Sequence, residues 1–146
     1  MTIKRLDHVS IVVDDLEAAI AFFTALGMEV EGEAPIEGQS VDAVNALDGV
    51  RVNIAMMRTP DGNGKLEVTK FHHPTAIRAE PADTPSNAFG LRSIMFAVDD
   101  IDDVVTRLRR HGGELVREIA QYEDIYRVCF VRAPEGFVIG LGERLG

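Results

Sequence analysis

Two stretches of this chain superimpose without a gap. DHVSIVVDDLEAAIAFFTALG, from Asp7 to Gly27, lies on RSIMFAVDDIDDVVTRLRRHG, from Arg92 to Gly112, at a constant offset of 85 residues. Val13 falls on Val98, Asp14 and Asp15 on Asp99 and Asp100, Leu16 on Ile101, and Gly27 on Gly112. A chain that repeats itself in this way builds its fold twice from the same parts.

Each copy opens with a short β-branched and apolar run, Val9 to Val13 and Ile94 to Val98, which reads as a buried strand. The Asp pair that follows suits a helix start, where a carboxylate accepts from free N–H groups and meets the positive end of the dipole. Glu17 stands three residues after Asp14, and Asp102 three after Asp99, as in a capping arrangement. Both following segments are amphipathic. Leu16, Ala19, Ile20, Phe23 and Leu26 form one apolar stripe, and Ile101, Val104, Val105 and Leu108 the other. Gly27 and Gly112 are placed to end the helices in a left-handed conformation.

Strands are expected next, near 28–33, 50–58 and 65–71 in the first half, with a short helix over 41–47. In the second half they are expected near 114–119, 125–132 and 137–142. Pro60, Asp61 and Gly62 in one half, and Pro134, Glu135 and Gly136 in the other, mark the turn before the last strand. Both halves therefore read β-α-β-β-β. Residues 74–90 carry three of the six prolines and read as a semi-extended linker.

The composition narrows the partners. The formal net charge is -9 over 146 residues, and the pI is near 4.8. Such a surface repels nucleic acid and anionic lipid, so neither is an expected partner. An acidic protein still accommodates an anionic ligand in a local basic pocket. The single cysteine, Cys129, excludes an intramolecular disulfide and suits a reducing compartment. No apolar run approaches the roughly 20 residues that span a bilayer, and the first residues lack a signal-peptide core. A cytoplasmic location is the expectation.

The doubled module, with His8 in DHVSIVV, Glu67 closing PDGNGKLE, and the FAVDDID and PEGFVIGL segments, resembles the vicinal oxygen chelate superfamily. That group holds glyoxalase I, the bleomycin-resistance proteins and the extradiol dioxygenases. The resemblance covers the whole chain and implies an α+β fold: tandem βαβββ modules forming a cleft-bearing, curved mixed sheet. It implies one domain over 1–146, with module 1 over about 1–73, the linker over about 74–90 and module 2 over about 91–146. It also implies a homodimer and a small-molecule ligand. In that family a divalent metal takes one ligand from the first and one from the last strand of each module. These positions fall here on His8 and Glu67, and in the second module on Ser93 and Gly140. Imidazole and carboxylate suit zinc, nickel, iron or manganese; a serine hydroxyl is a poor donor and glycine has no side chain. The implied metal set is half present.

The other chemistry-bearing residues read as follows. Tyr122 and Tyr126 pair an apolar ring with a polar tip, which suits a ligand pocket. Met56, in a strand expected to line the cleft, and Ser93 complete the expected substrate-binding set. Met57 shares the strand of Met56, and filling a core gap is the competing reading for both. His72, His73 and His111 read as surface residues, and Glu123 and Asp124 as a loop before a strand. Arg51, Arg92 and Arg127 are available cations that read as solvated or paired. Cys129 lies in an apolar run and reads as inert. Gly62, Asn63 and Gly64 lack the Lys and following helix of a phosphate loop and read as a hairpin turn. No residue stands out as a general base. Three functions stay open: a metal-dependent lyase, isomerase or dioxygenase, a metal-free protein that sequesters a small molecule, and a metal-free enzyme of the same fold.

Overall fold

The computed structural model of the chain describes residues 2–146. They divide into two compact units, the first ending at Ile77 and the second running from Arg78 to Gly146.

The first unit contains β1 (Val9–Val12), α1 (Leu16–Leu26), β2 (Glu29–Glu37), α2 (Gln39–Asn45), β3 (Arg51–Arg58) and β4 (Lys65–His73). Its sheet has the order β1-β4-β3-β2. β1 runs parallel to β4, and the other pairings are antiparallel. The β3–β4 hairpin closes on the expected Pro-Asp-Gly turn. Asp61 Oδ1 accepts from the Thr59 hydroxyl at 2.5 Å and from the Asn63 N–H at 3.0 Å.

Helix α1 starts one residue later than the sequence pattern suggests. Asp15, not Asp14, is the cap, and its Oδ1 accepts from the Ala18 N–H at 3.0 Å. Gly27 ends the helix at φ 120°, as expected. The apolar stripe is rotated slightly from the expected one. Phe22 joins Ala19, Phe23 and Leu26 among the buried residues, while Leu16 and Ile20 are half-buried. Phe22 and Phe23 meet edge to face at 5.5 Å, a favoured aromatic arrangement. α1 packs across β2, β3 and β4, where Ala55, Met57, Leu66 and Val68 are buried. Strand alternation then turns Met56, Glu67 and Thr69 to the opposite side of the sheet.

The second unit repeats the plan with β5 (Ile94–Val98), α3 (Ile101–Arg109), β6 (Glu114–Leu115), β7 (Ala120–Tyr122), β8 (Tyr126–Arg132) and β9 (Val138–Arg144). The order is β5-β9-β8-β6, with β7 also paired to β8. β5 is parallel to β9, matching β1 and β4. Asp100 caps α3 through the Asp103 N–H at 3.1 Å, again the second member of the Asp pair. Of the strand expected over 114–119 only β6 forms, and β7 follows beyond that range; both pair with β8. The core is Ile101, Val104, Val105 and Leu108 of α3 against Cys129, Val131, Ile139 and Leu141. Both halves are mixed α+β modules, as expected.

The linker is less free than its composition suggests. Arg132 donates to the carbonyls of Ala82, Thr84 and Gly136 at 3.0–3.2 Å. Arg78 donates to the Glu135 carbonyl at 3.0 Å. Gly136, at φ 103°, brings its backbone so near Ala82 that an added Cβ would lie 2.7 Å from the Ala82 carbonyl oxygen. Residues 78–90 are thus tied onto the β8–β9 turn of the second unit.

Candidate functional site

The geometry at β1 and β4 follows from their parallel pairing. Ser10 stands opposite Glu67, and Met56 of β3 stands opposite Glu67 on its other side. His8 lies just ahead of β1 and two residues before Ser10, so it shares that face. The result is a polar cluster on the sheet surface remote from α1. His8 Nε2 lies 3.7 Å from Glu67 Oε2. The other carboxylate oxygen, Glu67 Oε1, accepts from the Thr69 hydroxyl at 3.2 Å and from the Ser10 hydroxyl at 3.4 Å. Glu67 is therefore held through one oxygen while the other faces the imidazole. Behind the ring, His8 Nδ1 lies 2.8 Å from Asp7 Oδ2, and Arg5 donates to Asp7 Oδ1 at 2.9 Å. The hydrogen bonds from His8 and Arg5 hold the Asp7 carboxyl below the usual carboxylate range. About a third of the His8 side chain and a quarter of that of Glu67 remain accessible.

These two donors fit a divalent cation. Metal bonds of about 2.1 Å from an imidazole nitrogen and a carboxylate oxygen can bridge their 3.7 Å separation. Among the described residues no group of three or more His, Cys, Asp or Glu side chains converges as a metal site, so water or a bound ligand would have to complete the coordination.

The second unit is built differently at the matching register. Met95 stands opposite Gly140, as Ser10 stands opposite Glu67. A Cβ added at Gly140 would lie 2.7 Å from Met95 Cε, 2.9 Å from Met95 Sδ and 3.2 Å from Phe130 Cε1. The thioether thus fills the space that a side chain at residue 140 would need. Ser93, ahead of β5, is exposed.

Tyr122 and Tyr126 stack on one another across the β7–β8 pairing, with ring centroids 5.6 Å apart and planes inclined by 27°. Both remain exposed. Glu123 and Asp124 form the turn between them, with Glu123 at φ 49°. The remaining histidines are exposed, as expected. His72 Nε2 lies 3.2 Å from Asn53 Oδ1, and His73 Nδ1 lies 2.9 Å from the Gly49 carbonyl at the far end of β4. Arg92 pairs with Glu80, and Arg127 makes a two-pronged pair with Asp102. Burial pushes the Cys129 thiol up, in keeping with an inert residue.

The sequence brought His8, Glu67 and Met56 into view; it did not reveal a role for Asp7, Ser10 or Met95. Ser10 and Thr69 follow their neighbours at a spacing of two, the strand signal for a shared face. That signal becomes informative only once β1 is known to lie against β4.

The strand–helix–strand plan of the first unit is repeated in the second, and a His–Glu pair stands on the first sheet only. The comparisons give the family. The sequence profile of the Glyoxalase/Bleomycin resistance protein/Dioxygenase superfamily matches residues 5–141, and the chain belongs to that superfamily. It is 27% identical over 145 residues to the uncharacterized protein YaeR of Escherichia coli (strain K12), covering 97% of this chain and 98% of that one. Among solved structures, a glyoxalase family protein from Bacillus cereus is 46% identical, with a TM-score of 0.94, covering 100% of this chain and 97% of that one. TnmS3, an antibiotic binding protein from Streptomyces sp. CB03234, shares the fold at 20% identity and a TM-score of 0.62, covering 99% of this chain and 98% of that one.

Proposed function

We propose that this protein is a glyoxalase- or dioxygenase-like protein that acts on a small molecule with a divalent cation held by His8 and Glu67. The observation that carries the reading is the facing pair of donor atoms, His8 Nε2 and Glu67 Oε2, at 3.7 Å. Zinc, nickel, iron and manganese all accept this donor pair. A bound cation supplies Lewis acidity toward neighbouring ligand oxygens. The chain itself presents the donors: the Ser10 and Thr69 hydroxyls engage one oxygen of Glu67, which directs the other toward the imidazole. Met56, beside Glu67 in the sheet, offers apolar contact to a small ligand. Tyr122, Tyr126 and Ser93 complete the proposed ligand-binding set. The reading takes residues 1–146 as one working domain, active as a cytoplasmic homodimer.

Metal analysis of untagged protein tests it. Stoichiometric divalent metal, or a rise in melting temperature on adding metal that His8→Ala abolishes, is the expected result. Equal metal-induced stabilisation in wild type and His8→Ala would remove the assignment.

A second reading, metal-free sequestration of a small molecule, is favoured by one observation: Met95 fills the space over Gly140, where a second carboxylate would otherwise stand. It predicts ligand binding by calorimetry that is unchanged after chelation of all metal.

A further inference from the structure

We propose that Asp7 is a positioning residue for His8: it holds the imidazole in the tautomer that carries its proton on Nδ1, so that Nε2 presents a lone pair toward Glu67. At neutral pH a carboxylate only accepts hydrogen bonds. Asp7 Oδ2 lies 2.8 Å from His8 Nδ1, so Nδ1 must be the donor of that bond. In a neutral imidazole the other nitrogen is then the acceptor. The far side of the ring agrees. Nε2 and Glu67 Oε2 stand 3.7 Å apart, beyond the range of an N–H···O bond. Two acceptor atoms facing each other adopt such a gap, and a cation would close it. Arg5 fixes the arrangement from behind, because its guanidinium takes Asp7 Oδ1 at 2.9 Å and leaves Oδ2 to the ring. Backing a donor imidazole with a carboxylate fixes its orientation and raises its basicity. The tautomer stands on this geometry alone; its use in holding a cation rests on the function proposed above.

The test uses the full chain, labelled with nitrogen-15 and stripped of metal, at mildly alkaline pH. Long-range proton–nitrogen correlation of the His8 ring should give a protonated Nδ1 and an unprotonated Nε2. Asp7→Ala should move the population toward the Nε2-protonated form, and Asp7→Asn, whose carbonyl can still accept from Nδ1–H, should restore part of the original. Asp7 is exposed at the surface, so neither change removes core packing. Zinc titration should then show Asp7→Ala binding roughly 10- to 100-fold more weakly than wild type. A wild-type His8 protonated on Nε2, or a tautomer unmoved by Asp7→Ala, overturns the proposal. A shifted tautomer with equal zinc affinity overturns the link to cation binding. A shifted tautomer in a protein that binds no zinc upholds the role of Asp7 and sinks the metal-dependent function.

Discussion

The same register position carries opposite chemistry in the two sheets. In the first, Glu67 faces Ser10, accepts two hydroxyl bonds and points an oxygen at His8. In the second, Gly140 faces Met95 and is roofed by its thioether. Around these positions the scaffolds agree closely. Both have a parallel first and last strand, an Asp cap on the helix, and an acidic Pro-X-Gly turn. Duplication has preserved what holds each module together and let the chemical positions diverge. The difference teaches that a repeat can be read for fold from what its copies share, and for function from where they part.

The sharpest way to break the contrast is to make the first face resemble the second. Glu67→Ala removes one of the two proposed donors and should abolish metal-induced stabilisation altogether, read as a melting-temperature rise that disappears. Retention of the full rise would show that the two faces do not differ in the way described.

The converse change is Gly140→Glu. Its Cβ meets the flexible end of Met95 at 2.7 Å, in a well-packed, buried position. Met95 is half exposed and can swing aside, so the cost should be about 1 kcal/mol, the low end for overpacking, which urea unfolding would register as a slightly lower midpoint. Adding Met95→Ala should recover part of that loss. Strict additivity of the two changes would mean that Met95 does not occupy the site.

Smaller effects test the shared scaffold. Asp15→Ala and Asp100→Ala each delete a cap bond and should cost about 1 kcal/mol apiece. A marked inequality between them would show that the modules differ in their helices as well as in their sites.

The smallest effect is a pH dependence lodged in the second unit. The Arg127 guanidinium, hydrogen-bonded to Asp102, holds that carboxyl below its ordinary range, while Arg127 is itself pushed up and stays charged. A carboxyl lowered by folding adds stability above its unfolded pKa, and loses it as the pH falls through the folded one. Asp102→Asn should therefore lower the neutral and alkaline plateau slightly, flatten the acid limb, and leave stability at the lowest pH unchanged. An acid limb identical to wild type would remove the pair from the account.

Local signals were the most legible in the sequence. The caps, the apolar stripes and the two turns each depend on residues within a few positions of one another, and each has a counterpart in the structure, although the C-cap of α3 is Arg110 rather than Gly112. The errors were also local and small. The cap fell on the second Asp of each pair, because that residue has the extended backbone that lets its carboxylate reach forward to an N–H of the first turn. The strand expected over 114–119 shortened to Glu114–Leu115, and β8 pairs next with β7, which begins only at Ala120. The candidate site was only half legible. His8 and Glu67 are 59 positions apart (67 − 8), and it was the family resemblance, not periodicity, that joined them. Ser10 and Met95 are ordinary residues until the parallel pairings set them beside Glu67 and Gly140, and Asp7 and Thr69 until side-chain bonds join them to His8 and Glu67.

The two turn glycines show what this means for change over time. Gly62 has φ 77° with open space where a Cβ would go, while Gly136 has φ 103° and the Ala82 backbone pressed against it. An asparagine, which tolerates the left-handed region, can replace the first at modest cost. The second admits no side chain without dislodging the segment that Arg132 holds. Matching turns in the two units thus differ in what they can accept: the one that seats the linker admits no side chain, and the other does.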